Sequence, residues 1–193
     1  MDKLENKIAV IGSGHMAQAL VRGLVNCGVE AASITVSNPS GSGLIQIQKE
    51  FGARVTRSNL VAEQADWIFI AVKSVVVREV MRELSVIGEG KLIISLVAGV
   101  SIKTLKSYAN NDSQRFIRIM PNISVAYNRG VIGFFANKRL TANSQVHALR
   151  ELLSRLGQVI ILKREQDLEL LTVMAGCGPA IVARFMQMLS SFG

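Results

Sequence analysis

The sequence predicts an α/β fold, a doubly wound and mostly parallel sheet with helices on both faces, and three observations carry that reading. Apolar runs of strand length alternate with helical stretches over the first two-thirds of the 193 residues, the pattern that right-handed β-α-β crossovers produce. Runs such as "WIFIAV" and "KLIISLV" are continuous rather than alternating, as strands buried on both faces require. Aromatic residues are only 5% of a chain that is 49% hydrophobic, so Ile, Val, Leu and Ala must build the core.

The elements follow in order. "KIAVIG" (7–12) is the first strand, and a helix over about 14–27 ends at Gly28. "SITVS" (33–37) is the second strand, with a helical stretch over 44–51 that stops at Gly52. The two continuous runs add strands flanked by helical segments, and "RFIRIM" (115–120) leads into Pro121. Beyond it, "GVIGFFA" is a further strand, and Thr141 is the expected cap of a helix carrying Val146, Leu149, Leu153 and Leu156 at helical spacing. Gly157 ends that helix, "QVIIL" is one more strand, and helical sequence resumes near Glu165. Gly176, Gly178 and Pro179 look like a turn feeding a last helix. "NPSGSG" (38–43) is the nearest thing to a flexible loop.

The net charge is +8, but Lys and Arg are dispersed, with no basic block and no interleaved aromatics. That is a solvated surface, and nucleic acid is not an expected partner. The uninterrupted apolar runs fall short of the roughly 20 residues a membrane span needs, so no membrane partner is expected. Two cysteines, Cys27 and Cys177, make neither a disulfide framework nor a metal site. With a charged N-terminus and no visible secretory signal, a cytoplasmic location is expected.

Chemistry is concentrated in "IGSGHMA" (11–17), a G-x-G-x-x-A between the first strand and the first helix. Gly12 permits the tight turn, Gly14 lets a pyrophosphate approach the backbone, and Ala17 lets helix and strand pack closely. Free N–H groups at the helix start then favour the anion. This context makes the fold Rossmann-like and predicts dinucleotide binding. The second strand ends in Ser37, Asn38 and Pro39, where an NAD-preferring site usually carries a carboxylate. NADP(H) is therefore favoured over NAD(H), with Arg57 a candidate for the 2′-phosphate. His15 either donates to the pyrophosphate or faces solvent in the first helical turn. His147 has no assigned role, and Cys177 has no base near it in sequence.

"IGSGHMAQALVRGL", "AVKS", "SLVAGVSIKTL", "RIMPN" and "AGCGPA" occur in the order and approximate spacing of pyrroline-5-carboxylate reductases. The chain resembles that family over essentially its whole length. The resemblance implies reduction of a cyclic imine carboxylate by NAD(P)H in proline biosynthesis. It also implies a dinucleotide-binding domain over 1–163, followed at 164–193 by the beginning of an all-helical dimerisation domain. The partners implied are a small-molecule substrate and, in a full-length form, a homodimer or larger assembly. By the same resemblance, Ile11, Gly12, Ser13, Gly14, His15 and Met16 form the pyrophosphate loop. Ser37 and Asn38 lie at the adenosine end, and Asn59 contacts the adenosine ribose. Ala71, Val72, Lys73 and Ser74 pass beneath the cofactor, Val97 and Ala98 form the turn near the nicotinamide, and Met120, Pro121 and Asn122 position the substrate. No side chain is assigned as catalytic.

The departures are Ser74 for a proline, Ile123 and Ser124 for a hydroxyl residue and a proline, and Ala175 and Cys177 for two serines. The family's further helices and its S-P-G-G-T loop do not follow Gly193, so the expectation is a chain short of the family's substrate half. Two alternatives stand beside the reductase: an enzyme acting on another imine or a deazaflavin, and a non-catalytic module that binds NADPH.

Overall fold

In this computed structural model, which describes residues 6–88, 90–111 and 113–191, every apolar run expected to be a strand enters one sheet. The strands are β1 (Ile8–Ile11), β2 (Ile34–Ser37), β3 (Arg54–Thr56), β4 (Trp67–Ile70), β5 (Leu92–Ser95), β6 (Arg115–Pro121), β7 (Gly130–Ala136) and β8 (Gly157–Ile161). They lie side by side in the order β3-β2-β1-β4-β5-β6-β7-β8. β1 to β6 are parallel. β7 runs antiparallel to β6, and β8 runs parallel to β7. The strand order reverses between β1 and β4, and that switch point is where doubly wound sheets bind ligands.

Helices α1 (His15–Asn26), α2 (Leu44–Phe51), α3 (Val77–Glu83), α4 (Ile102–Ala109) and α5 (Ser144–Ser154) connect the strands. Alternation along the buried strands sorts side chains into two apolar layers. Trp67 and Phe69 join a layer with Leu20, Leu24 and Leu149, while Ile68 and Ile70 join one with Met81, Leu84 and Leu105. Truncating a side chain such as Phe69, with no exposed area, to alanine costs about 3–5 kcal/mol. Trp67 is equally buried, and its indole Nε1 has no hydrogen-bond partner among the described residues.

One strand was unexpected, and two expectations need correction. β3 has only three residues, at a sheet edge and none fully buried, so no apolar run announces it. The cap of α5 is Asn143, whose Oδ1 accepts from Gln145 N and Val146 N; Thr141 instead donates its hydroxyl to Lys138 O. At the end of the chain, α6 (Asp167–Leu171) continues through a π-helical stretch, Thr172–Cys177, into α7 (Gly178–Ser190). The expected turn is therefore part of a helix. Pro179 contributes no N–H, and a widened turn before it lets the helix continue.

α6 docks on the sheet through Leu168, which is fully buried, where Gly133 of β7 leaves room for it. From residue 180 to 191 every described residue is exposed, including Ile181, Val182, Phe185, Met186 and Leu189. The stretch Asp167–Ser190 is 24 residues, and its most apolar 18-residue window has a mean hydropathy of 1.4, long and apolar enough by length and composition alone to cross a membrane. Reading only uninterrupted apolar runs missed this, because Arg184 and Gln187 break the run without breaking the helix.

Candidate functional site

The β1–α1 turn is shaped by two glycines with different reasons. Gly12 has φ +107°, and a Cβ there would stand 2.5 Å from Ala71 O. Both the backbone and the close approach of β4 therefore demand glycine. Its N–H donates to Ser37 O at 2.8 Å, which ties the turn to the end of β2. Gly14, the N-cap of α1, has φ −69° and ψ 179°, which any residue adopts. Beyond its neighbours in the chain, no atom of the described residues lies within 4 Å of a Cβ built there. Nothing in the chain's own packing asks for glycine at 14, and the space in front of it is open. No side chain caps α1, so its first-turn N–H groups and its dipole face that space.

The space is a cleft of about 610 Å³ at the switch point, walled by 11–14, 38–40, Ser42, Asn59, 71–73 and the α3 residues Glu79, Val80 and Glu83. Its polar side chains are fixed by one another. Asn38 Nδ2 donates to Ser13 Oγ at 2.6 Å and to Ser42 O at 3.1 Å, while its Oδ1 accepts from the N–H and hydroxyl of Ser40. Ser13 Oγ donates to Ser42 O. The loop that reads as flexible is thereby pinned to the glycine turn. Ser37 has no exposed area and donates to Asn59 Oδ1 at 2.7 Å, and Asn59 Nδ2 donates to Glu83 Oε2 at 2.7 Å. Ser37 thus lies beneath Asn59 and orients it. Arg57 is exposed, and its guanidinium lies over the backbone of Gly41.

The remaining sequence-derived positions spread along the same carboxyl edge. Ala71, Val72, Lys73 and Val76 line the cleft; Ser74 is exposed, opens the 3-10 turn Ser74–Val76 and is not itself a lining residue. His15 is exposed, and Met16 packs against the core. Val97 and Ala98 follow β5, and Met120, Pro121 and Asn122 close β6, but none of these five lines the cleft. Asn122 pairs with Val131 through its N–H and its Oδ1, which leaves Nδ2 as its donor without a partner among the described residues.

Sequence reasoning missed Glu79 and Glu83, which reach the cleft from α3. It also missed buried Arg118 on β6, which bonds Glu165 and Glu169. The signal for Arg118 was present: a lone charge inside the otherwise apolar "FIRIM". Among the described residues no cluster of His, Cys, Asp and Glu could hold a metal. Burial pushes the Cys27 thiol up, opposite to what a nucleophile needs.

Comparison with known proteins agrees with this geometry. A family model described as NADP oxidoreductase, coenzyme F420-dependent, matches residues 7–99, the half of the chain that builds the cleft. The pyrroline-5-carboxylate reductase of Vibrio alginolyticus is 32% identical over 187 residues, covering 96% of this chain and 68% of the relative. That of Pseudomonas aeruginosa is 32% identical over 189 residues, covering 97% and 68%. Among solved structures, a pyrroline-5-carboxylate reductase from Coxiella burnetii superimposes with a TM-score of 0.85 at 30% identity, over 96% of this chain and 69% of that one. The Plasmodium falciparum pyrroline carboxylate reductase with NADP bound gives 0.85 at 25% identity, over 97% and 69%. The chain spans about two thirds of the length of these relatives. The chain thus shares its fold with those enzymes and belongs to the pyrroline-5-carboxylate reductase family of NAD(P)H-dependent oxidoreductases.

Proposed function

We propose that this chain binds NADPH across the switch point and presents its nicotinamide, above β5 and β6, to the imine of pyrroline-5-carboxylate. The observation that carries the reading is Gly14: a glycine the protein's own packing does not require, facing open space at an uncapped helix start. A pyrophosphate fits that cradle, and any side chain would fill it. Ile11 to Met16 hold the pyrophosphate, with Ser37, Asn38 and Asn59 at the adenosine end. Ala71 to Ser74 run beneath the cofactor, Val97 and Ala98 back the nicotinamide, and Met120 to Asn122 face the substrate. The bound cofactor supplies a hydride to the imine carbon. The chain contributes position and a desolvated surface rather than a general acid, with Asn122 Nδ2 the donor at hand. Residues 1–163 form the cofactor domain in this reading, and 164–193 open the helical part through which two copies associate. Two free cysteines suit a reducing cytoplasm.

NADPH over NADH rests on the corner after β2, where Asn38 stands in place of a carboxylate and Arg57 covers Gly41. A non-catalytic NADPH-binding module is the second reading, favoured by Ile123, which stands about half exposed beside Asn122 where the family carries a hydroxyl. Turnover decides between them. Oxidation of NADPH is followed with pyrroline-5-carboxylate, other cyclic imines and a deazaflavin as acceptors. Proline formation with pyrroline-5-carboxylate as the preferred acceptor supports the reductase. Binding with no turnover on any acceptor, from a protein extended to the relatives' full length, supports the module.

A further inference from the structure

A charge in the middle of a strand buried on both faces must be paired, and the pairing of Arg118 reaches an unexpected place. Arg118 is 3% exposed. Its Nη1 donates to Glu165 Oε1 at 3.1 Å, and its Nη2 donates to Glu169 Oε1 at 3.1 Å and to Val97 O at 3.4 Å. The same Glu165 oxygen accepts the backbone N–H of Ile102 at 2.7 Å, in the first turn of α4, where a negative charge is favoured. One ion pair therefore grips both ends of segment 97–102, by the carbonyl of Val97 and the N–H of Ile102. Between those ends lie Ala98 and Gly99, both exposed, with Gly99 at φ +72°.

This segment leaves β5 at the carboxyl edge, beside β4, whose own exit residues 71–73 wall the cleft. In a doubly wound sheet, the second half of a dinucleotide lies over the carboxyl ends of the strands beyond the switch point. We infer that Arg118 and Glu165 are positioning residues. They hold the 97–102 turn at the height that supports the nicotinamide ring, and Glu169 ties that height to the docking of the helix beginning at Asp167. The inference rests on the dinucleotide reading above and assigns a task to charges that otherwise only staple the fold.

A half-ligand separates the two roles. Adenosine 2′,5′-bisphosphate occupies only the adenosine end, whereas NADPH uses both ends. Both are titrated by calorimetry against the full chain, Arg118→Gln and Glu165→Gln. The expected result for Arg118→Gln is an unchanged half-ligand affinity and NADPH binding weaker by about tenfold, since charge-assisted bonds fix the turn. Glu165→Gln keeps the shape and an acceptor for Ile102, so about threefold is expected there; it carries the test if Arg118→Gln does not fold. Arg118→Lys, which keeps the charge, should recover part of the loss. Equal weakening of both ligands means a structural staple only, and no change in either removes the link to the turn; each result overturns the inference. Failure of the unsubstituted chain to bind either ligand is a different result, and it overturns the dinucleotide reading itself.

Discussion

The two ends of the sheet's carboxyl edge are held together over different distances in the chain. Around β1 and β2 the polar side chains bond partners close in sequence: Ser37 to Asn59 and Asn59 to Glu83 are 22 and 24 residues apart, and Asn38 to Ser13 is 25. Around β5 and β6 the corresponding bonds run from Arg118 to Glu165 and Glu169, over 47 and 51 residues, and from Ile102 to Glu165 over 63. The first end is a walled cleft whose groups are oriented before any ligand arrives, which lowers the entropic cost of binding. The second is an open shelf of Ala98, Gly99 and Ile123, whose shape depends on the last part of the chain. On the proposed dinucleotide reading, affinity is built locally, while the geometry of the reacting end is set at long range.

The sharpest way to break this contrast is at the glycine turn. Gly14→Val should abolish NADPH binding and leave the thermal midpoint nearly unchanged, since its side chain meets only the space for the pyrophosphate. Gly12→Val should do the opposite damage first. Strain at φ +107° costs about 1–3 kcal/mol, and the clash with Ala71 O adds to it. Titration calorimetry and thermal melts on the pair report both effects. Normal NADPH binding by Gly14→Val would show that the cleft is not the dinucleotide site.

The next largest effect separates binding from turnover. A polypeptide of these 193 residues should bind NADPH but reduce pyrroline-5-carboxylate slowly, because Met120, Pro121 and Asn122 do not line the switch-point cleft. Steady-state rates compared with those of a relative of full length check this, and rapid proline formation would show that the shelf is already a complete site.

Asn38→Asp sharpens the picture at the β1–β2 end. It places a carboxylate against both Ser42 O and a 2′-phosphate, so NADPH affinity should fall by about tenfold relative to NADH. Competition titrations with the two cofactors measure the ratio, and an unchanged ratio would place the 2′-phosphate elsewhere.

The smallest effect belongs to Arg164 and Asp167, a pair at the start of α6 in which Arg164 is exposed and Asp167 partly so. The Arg164 guanidinium, bonded to Asp167 at 2.6 Å, holds its carboxyl below the usual range. A depressed carboxyl contributes stability above its unfolded pKa, and that contribution is lost as pH falls through the folded value. Solvent screens this pair. Asp167→Asn should therefore barely move the urea midpoint at neutral pH, abolish the pair's small acid dependence, and leave NADPH binding untouched. A large loss of cofactor affinity would mean that the helix start controls the cleft directly.

How much of this was legible beforehand follows the same division. β1, β4 and β5 were readable because two buried faces demand unbroken apolar runs, and the glycine turn because its spacing has a local physical meaning. β3 was hidden by its length: three edge residues leave no periodicity to read. The cap at Asn143 was not legible because Thr141, two residues earlier, is of a capping type as well, and only the geometry of the preceding turn decides between them. Glu83 and Glu165 look like ordinary surface carboxylates in sequence. Their roles exist only after the fold brings Asn59 and Arg118 to them.

The lone tryptophan gives the molecule a built-in optical reporter. Trp67 opens β4, whose far end at Ile70 borders the cleft-lining Ala71, so Trp67 lies about 10 Å along the strand from the cleft edge. Sealed from water and without a partner for its N–H among the described residues, it should emit at short wavelength. That emission overlaps the absorption of reduced nicotinamide, so binding of the reduced cofactor should quench it by energy transfer, while the oxidised form leaves it bright. The same chromophore shifts red only when the sheet opens, so ligation and unfolding can be told apart in one cuvette by intensity and by colour.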